Sequence, residues 1–232
     1  MTNKKWLSLR GTGTDLEVIE EKDDEWGSVT TKKTEFVESP TGDYYKITIT
    51  YEMNGIWEQL KERKGQKFVQ IEIPNGGLML DMPGSPQIPQ EGLLIALPHN
   101  AEVIDISITE SQFKTHRIEN ELIPIPKPTR DIPLELTKSK TYDLDEFFPG
   151  HLFKDIGLQK IGDIKALQLI VYPVQYNPIS RQLRIYSKII FEIKYKKKKS
   201  RFRGGLRSGV EKPRRKRIPQ IYKDSLLNLE NI

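Results

Sequence analysis

The sequence predicts an all-β protein, an antiparallel β-sandwich or jelly-roll-like domain, and three observations predict it. Apolar residues recur with a period of two in several short runs, the spacing that puts one face of a strand in a core. Gly, Pro, Asn and Asp clusters separate those runs as turn signals. Almost no stretch carries a helical period, so roughly eight to ten strands account for the chain. A chain of 232 residues fits one such domain and buries a sizeable core.

Residues 1–13 are polar and are expected to be a loosely ordered, flexible N-terminus. The first strands are expected at 14–20 and 44–52. In the second, Tyr45, Ile47, Ile49 and Tyr51 share one face, against Lys46, Thr48 and Thr50. Ser39-Pro40-Thr41-Gly42-Asp43 before it and Asn54-Gly55 after it are turns. The run from Trp57 to Lys64 is read as the one short helix, or as a loop insertion, because it holds little apolar surface. Phe68 to Ile73 alternates again and is a strand, followed by a turn at Asn75-Gly76-Gly77.

Gly84-Ser85-Pro86-Gln87-Ile88-Pro89 leads into the apolar run Leu93–Pro98. Proline donates nothing to a ladder, so these prolines fix an extended edge entering the sheet. Val103–Ile108 is a further strand, with Val103, Asp105 and Ser107 on one face and Ile104, Ile106 and Ile108 on the other. Ile123-Pro124-Ile125-Pro126-Lys127-Pro128 holds three alternate prolines. Each biases its predecessor toward extended backbone, giving a stiff strip that cannot pair fully in a sheet. The last strands are 167–172 and 183–195, with Asn177-Pro178 and Ser180 turning between them.

The expected organisation is a flexible 1–13, a sandwich over 14–195, a basic linker over 196–217 and an onward segment over 218–232. Net charge is +5, but it is uneven. Thirteen Lys and Arg between Lys194 and Arg217 face one acid, Glu211, for a local +12 that leaves −7 for the rest. Only Tyr195 and Phe202 lie among those charges, too few aromatics for a stacking platform, so nucleic acid is not the expected partner. The Gly-containing stretch from Arg203 to Val210 reads as a connector. Arg203, Arg207, Arg214, Arg215, Lys216 and Arg217 are candidate processing sites for a protease that reads Arg or Lys.

The sequence holds no cysteine, which removes disulfides, thiolate metal sites and a Cys nucleophile together. His99, His116 and His151 lack metal-ligand spacing, and no metal or cofactor is expected. Asp143, Asp145 and Glu146 form an acidic cluster without a calcium-loop signature and read as solvated acids. No nucleophile-elbow, paired-carboxylate or phosphate-loop motif is present, so an enzyme is the poorest reading. No apolar run is long enough to span a bilayer, and the N-terminus lacks the apolar core of a secretory signal.

The most particular string lies between Asp145 and Lys194. It contains Phe147-Phe148-Pro149-Gly150, Tyr172-Pro173-Val174-Gln175-Tyr176-Asn177-Pro178 and Leu183-Arg184-Ile185-Tyr186. It resembles the N-terminal prodomain of the gingipain-like cysteine peptidases, the C25 family. The likeness extends to Gly84, Pro86 and Pro89, which match a G-x-P-x-(I/L)-P element. It returns at Ile221–Asn228, similar to the segment that closes the gingipain prodomain. The aromatics of these motifs, Tyr172, Tyr176, Phe147, Phe148 and Tyr186, are read as core and corner packing rather than a sugar platform.

The resemblance implies a non-catalytic chaperone and inhibitor that covers a cognate C25-like catalytic domain in cis and is then cut away. It implies a basic side chain in the enzyme's specificity pocket, with Lys127 and then Arg130 as candidates within Glu121–Asp131. It also implies an extracellular setting, since family members are typically exported. The competing reading is a β-sandwich adhesin module, with a basic tail, that binds glycan or protein. An open reading frame running on into a catalytic domain with a Cys/His pair distinguishes the two.

Overall fold

A computed structural model describes residues 4–9, 17–19, 30–38, 44–127, 136–198 and 225–232. It is all-β, with antiparallel, sandwich-like sheets and no α-helix among the described residues. The strands are β1 (Lys4–Ser8), β2 (Glu17–Ile19), β3 (Thr30–Glu38), β4 (Tyr45–Met53), β5 (Gly55–Arg63), β6 (Gln66–Glu72) and β7 (Gly77–Leu78). They continue with β8 (Pro89–Leu97), β9 (Ala101–Arg117), β10 (Phe153–Ile161), β11 (Ile164–Val171), β12 (Val174–Asn177), β13 (Gln182–Lys197) and β14 (Leu226–Leu227).

Three sheets form. One runs β2-β1-β5-β6. The second runs β10-β11-β8-β14, with β7 also paired to β8. The third runs β12-β13-β4-β3, with β9 along β13. One continuous core joins all three. Ile47, Ile49 and Tyr51 of β4 and Ile189, Phe191 and Ile193 of β13 meet Leu93, Ile95 and Leu97 of β8 and Leu167, Leu169 and Val171 of β11. Leu7, Ile56, Val69 and Ile71 bring in the first sheet. The period-two reading of β4 holds, with Ile47, Ile49 and Tyr51 buried and Lys46, Thr48 and Thr50 half-buried. Buried Glu91 is satisfied by the Tyr51 hydroxyl at 2.9 Å and by an ion pair with Lys32.

Two expectations from the N-terminal third are corrected. Residues 4–8, expected to be loosely ordered, form β1 and bury Trp6 and Leu7. The run from Trp57, expected to be a short helix or loop, lies in strand β5, paired to β1 on one side and β6 on the other. Its Glu, Gln, Leu, Lys and Arg are helix formers, but propensity is a weak prior beside pairing and burial. The Lys64-Gly65 loop between β5 and β6 has both residues at positive φ (53° and 77°), the geometry of a tight hairpin turn. Trp6 and Trp57 pack with ring centroids 4.8 Å apart. A Cβ on Gly55 would lie 2.3 Å from the Trp6 ring, so glycine is required there.

The strand expected at 103–108 extends over all seventeen residues of β9. The register slips between Lys194 and Tyr195, leaving Ile104 as the extra residue opposite Asp105 and Val103 pairing. The bulge breaks the expected alternation. Ile104 is exposed, while Val103, Ile106 and Ile108 pack on the core.

Candidate functional site

The Pro-rich strip is held between two other parts of the fold. It enters beside β6, where the Val69 amide donates to the Glu121 carbonyl (2.8 Å) and the Ile123 amide donates to the Val69 carbonyl (2.9 Å). It then changes partner. The Gln87 amide donates to Ile123 (2.9 Å), the Ile125 amide to Ser85 (2.8 Å) and the Gly84 amide to Ile125 (2.7 Å). Pro124 and Pro126 fall at positions where no donor is used, so the prolines cost the ladder nothing. Leu122, Ile123 and Ile125 are buried, with Leu122 and Ile125 in the main core. Lys127, two residues beyond Ile125, is exposed.

Each matched residue near the strip has a visible task. Gly84 sits at φ +85°, and a Cβ there would lie 3.0 Å from the Thr137 carbonyl oxygen, so both conformation and space demand glycine. Its carbonyl accepts from the Ser139 amide at 2.8 Å. Pro86 bridges to Pro124, and Pro89 opens β8 and is buried. Beneath the strip, the Tyr142 hydroxyl donates to the Leu122 carbonyl at 2.6 Å. Burial pushes the Tyr142 hydroxyl far above the ordinary tyrosine range, with nearby Tyr176 and Glu121 adding to it. Burial likewise pushes Tyr176 up to about 12. Lys138 pairs with Glu121 and lies over the Tyr142 ring at 5.4 Å.

The string that carried the resemblance forms a corner beside this base. Phe148 and Tyr176 exchange both backbone hydrogen bonds at 2.9 Å, across a cis Phe148–Pro149 peptide and a Gly150 at φ +79°. The Arg184 guanidinium stacks 3.7 Å from the Phe147 ring centre. The Tyr186 amide donates to the Pro173 carbonyl (2.8 Å), and Asn177 donates to Asp145 (2.9 Å) while accepting from the Ser180 amide (3.1 Å). Tyr172, Pro173, Gln175, Tyr176, Asn177, Pro178, Leu183 and Tyr186 are all buried. These residues are brought together as packing, with no aromatic face among Tyr172, Tyr176 and Tyr186 left open to a ligand.

Arg130 lies outside the described residues, and so do Arg203, Arg207, Arg214, Arg215, Lys216 and Arg217. Among the described residues, no group of three His, Asp or Glu side chains converges as a metal site. His116 instead pairs with Glu58 at 3.1 Å, in a cleft that Lys67, Arg117 and Glu119 also line. No described helix is long and apolar enough to cross a membrane. Sequence reasoning missed Tyr142 as the support beneath Leu122, since nothing local links positions so far apart.

The geometry is that of an all-β body with a buried, extended Pro-rich strip that ends at an exposed lysine. The C25 propeptide family (Propeptide_C25) matches residues 37–230, and the chain belongs to that family. It is therefore a propeptide domain of gingipain-type peptidases, a non-catalytic part of such precursors. Among solved structures, it is similar to one from work on the zymogenic latency of gingipain K from Porphyromonas gingivalis, at 20% identity. That match covers 75% of this chain and 96% of the other, with a TM-score of 0.60. It is also similar to a chain in the complex of the pro- and mature domains of Porphyromonas gingivalis RgpB, at 18% identity. Here 86% of this chain and 97% of the other are covered, with a TM-score of 0.61. No curated protein matches the sequence.

Proposed function

We propose that this propeptide keeps a C25-type cysteine peptidase latent by presenting the exposed end of the strip to the enzyme's cleft, with Lys127 in the specificity pocket. One observation carries the reading: Leu122–Ile125 is locked on both sides into the body, and the next charged residue, Lys127, stands exposed. A segment already held extended loses little entropy on docking, so its contacts count nearly in full toward affinity. A cationic side chain entering a pocket needs an acid there, which the partner supplies. Arg130 is the alternative basic residue on the same segment. Removal then begins with proteolysis at the Arg and Lys residues between 203 and 217.

Titration of the purified chain into a C25-type catalytic domain, ideally the one encoded downstream, tests this. Stoichiometric loss of peptidase activity that returns once the chain is degraded is the expected result. Lys127→Glu is expected to raise the inhibition constant about tenfold or more, equivalent to about 1.4 kcal/mol. An unchanged constant for Lys127→Glu overturns the role of Lys127, and Arg130→Glu then tests the alternative. Absence of inhibition by the intact chain overturns the reading.

A further inference from the structure

The C-terminal residues occupy a binding site of their own. β14 lies parallel to β8, with Leu226 opposite Leu94 and Leu227 opposite Ile95. Alternation along β8 explains what it covers. Leu93, Ile95 and Leu97 face the main core, while Leu94 and Ala96 face the other way. On that second face Ala96, Ile164, Ala166 and Leu226 form a separate buried cluster, flanked by Ile161 and Leu229. Two alanines side by side on β8 and β11 leave a shallow floor, and Leu226 fills it. Asn228, 1% exposed, adopts a left-handed conformation (φ 61°) and donates from Nδ2 to the Ala96 carbonyl at 3.1 Å. That bond reads a backbone position on β8, so it fixes register as well as affinity.

The other end of the preceding stretch is anchored close by. The Lys198 amide donates to the Asn100 carbonyl (2.9 Å), and Asn100 Nδ2 donates to the Lys198 carbonyl (3.0 Å). Lys198 is thus anchored at Asn100 and Asn228 at Ala96, just upstream on the same strand and turn. Every candidate processing residue from Arg203 to Arg217 lies between those anchors.

We propose that the β8 edge and its Ala96–Ala166 floor form a strand-acceptor site for residues 225–232, and that this site retains whatever polypeptide carries those residues after the basic stretch is cut. Cleavage between 203 and 217 removes a covalent link but none of the contacts at 226–229. Before the cut the segment is tethered, at an effective concentration in the mM range. Afterwards the same contacts hold it bimolecularly, so a cut alone does not release it and retention becomes concentration-dependent. The inference concerns only residues of this chain and stands or falls apart from the role of Lys127.

A recognition sequence for a specific protease replaces residues 205–210, and a fluorophore is placed on a cysteine added after Ile232, which is unique because the chain has none. Fluorescence anisotropy is followed after complete cutting. At about 100 μM, an order below the effective concentration of a tethered segment, the cut protein is expected to keep the anisotropy of the uncut one and to lose it on dilution. Leu226→Asp is expected to raise the concentration for half-release about tenfold or more. Asn228→Gly, which keeps the left-handed backbone and deletes the hydrogen bond, is expected to fall between. Free tumbling of the labelled fragment at every concentration, or identical release curves for all three proteins, overturns the proposal.

Discussion

β8 is gripped near both ends by segments remote in sequence, and the two grips differ in kind. Near its start, the Gly84–Gln87 lead-in holds the strip, which is clamped on its other side by β6. Near its end, Leu94 and Ile95 pair with β14, which among the described strands has no other partner. The strip places Leu122 and Ile125 in the main core, whereas β14 covers a separate cluster of four buried residues. Prolines restrict the strip before it folds, so it loses less entropy on ordering than an ordinary segment. The comparison teaches that one grip is scaffold and the other is a separable closure.

The largest expected effect comes from breaking the scaffold grip. Leu122→Ala removes a fully buried side chain of the strip and is expected to cost about 2–5 kcal/mol in urea unfolding. A cost below about 1 kcal/mol, within the range of ordinary surface substitutions, would put the strip on a par with β14.

A second test uses pH. Tyr142 and Tyr176 have folded-state values raised above the unfolded value of 10. The unfolded chain therefore releases those protons first, so stability present below about pH 10 is lost as pH rises from about 10 through 12. Tyr142→Phe is expected to flatten that alkaline slope and to cost about 1–3 kcal/mol at neutral pH, because the Leu122 carbonyl loses its donor. An unchanged slope in an unfolding series from pH 9 to 12 would detach the tyrosines from the strip.

The smallest effect belongs to the closure grip. Asn228→Gly is expected to cost about 1 kcal/mol or less of global stability. It is also expected to speed hydrogen exchange at Leu226 and Leu227 while leaving Ile123 and Ile125 protected. Equal acceleration at both places would mean that the two grips open as one unit.

Much of this arrangement was legible in the residues. The alternation of β4 and the extended character of 123–127 follow from side-chain period and proline chemistry. The particular strings around Phe147 and Tyr172 pointed to the family, and that family is the one matched over 37–230. Three features were not legible. β5 is written in helix formers and becomes a strand because β1 and β6 are there to pair with it. β1 looks polar because Lys4 and Lys5 precede Trp6 and Leu7, and its burial depends on β5. β14 spans two residues, too few for any period to show.

The sequence by itself determined the class of the fold, the stiffness of the strip and the identity of the charged residue at its end. Those properties are local, set by dihedral limits and by which side chains favour water. The tertiary structure alone decided that the strip is clamped between β6 and residues 84–87, that Tyr142 supports it from below, and that residues 226–229 return to β8. Those are pairings between positions far apart in the chain, and hydrogen bonds and buried area choose among such pairings only once the sheets have come together.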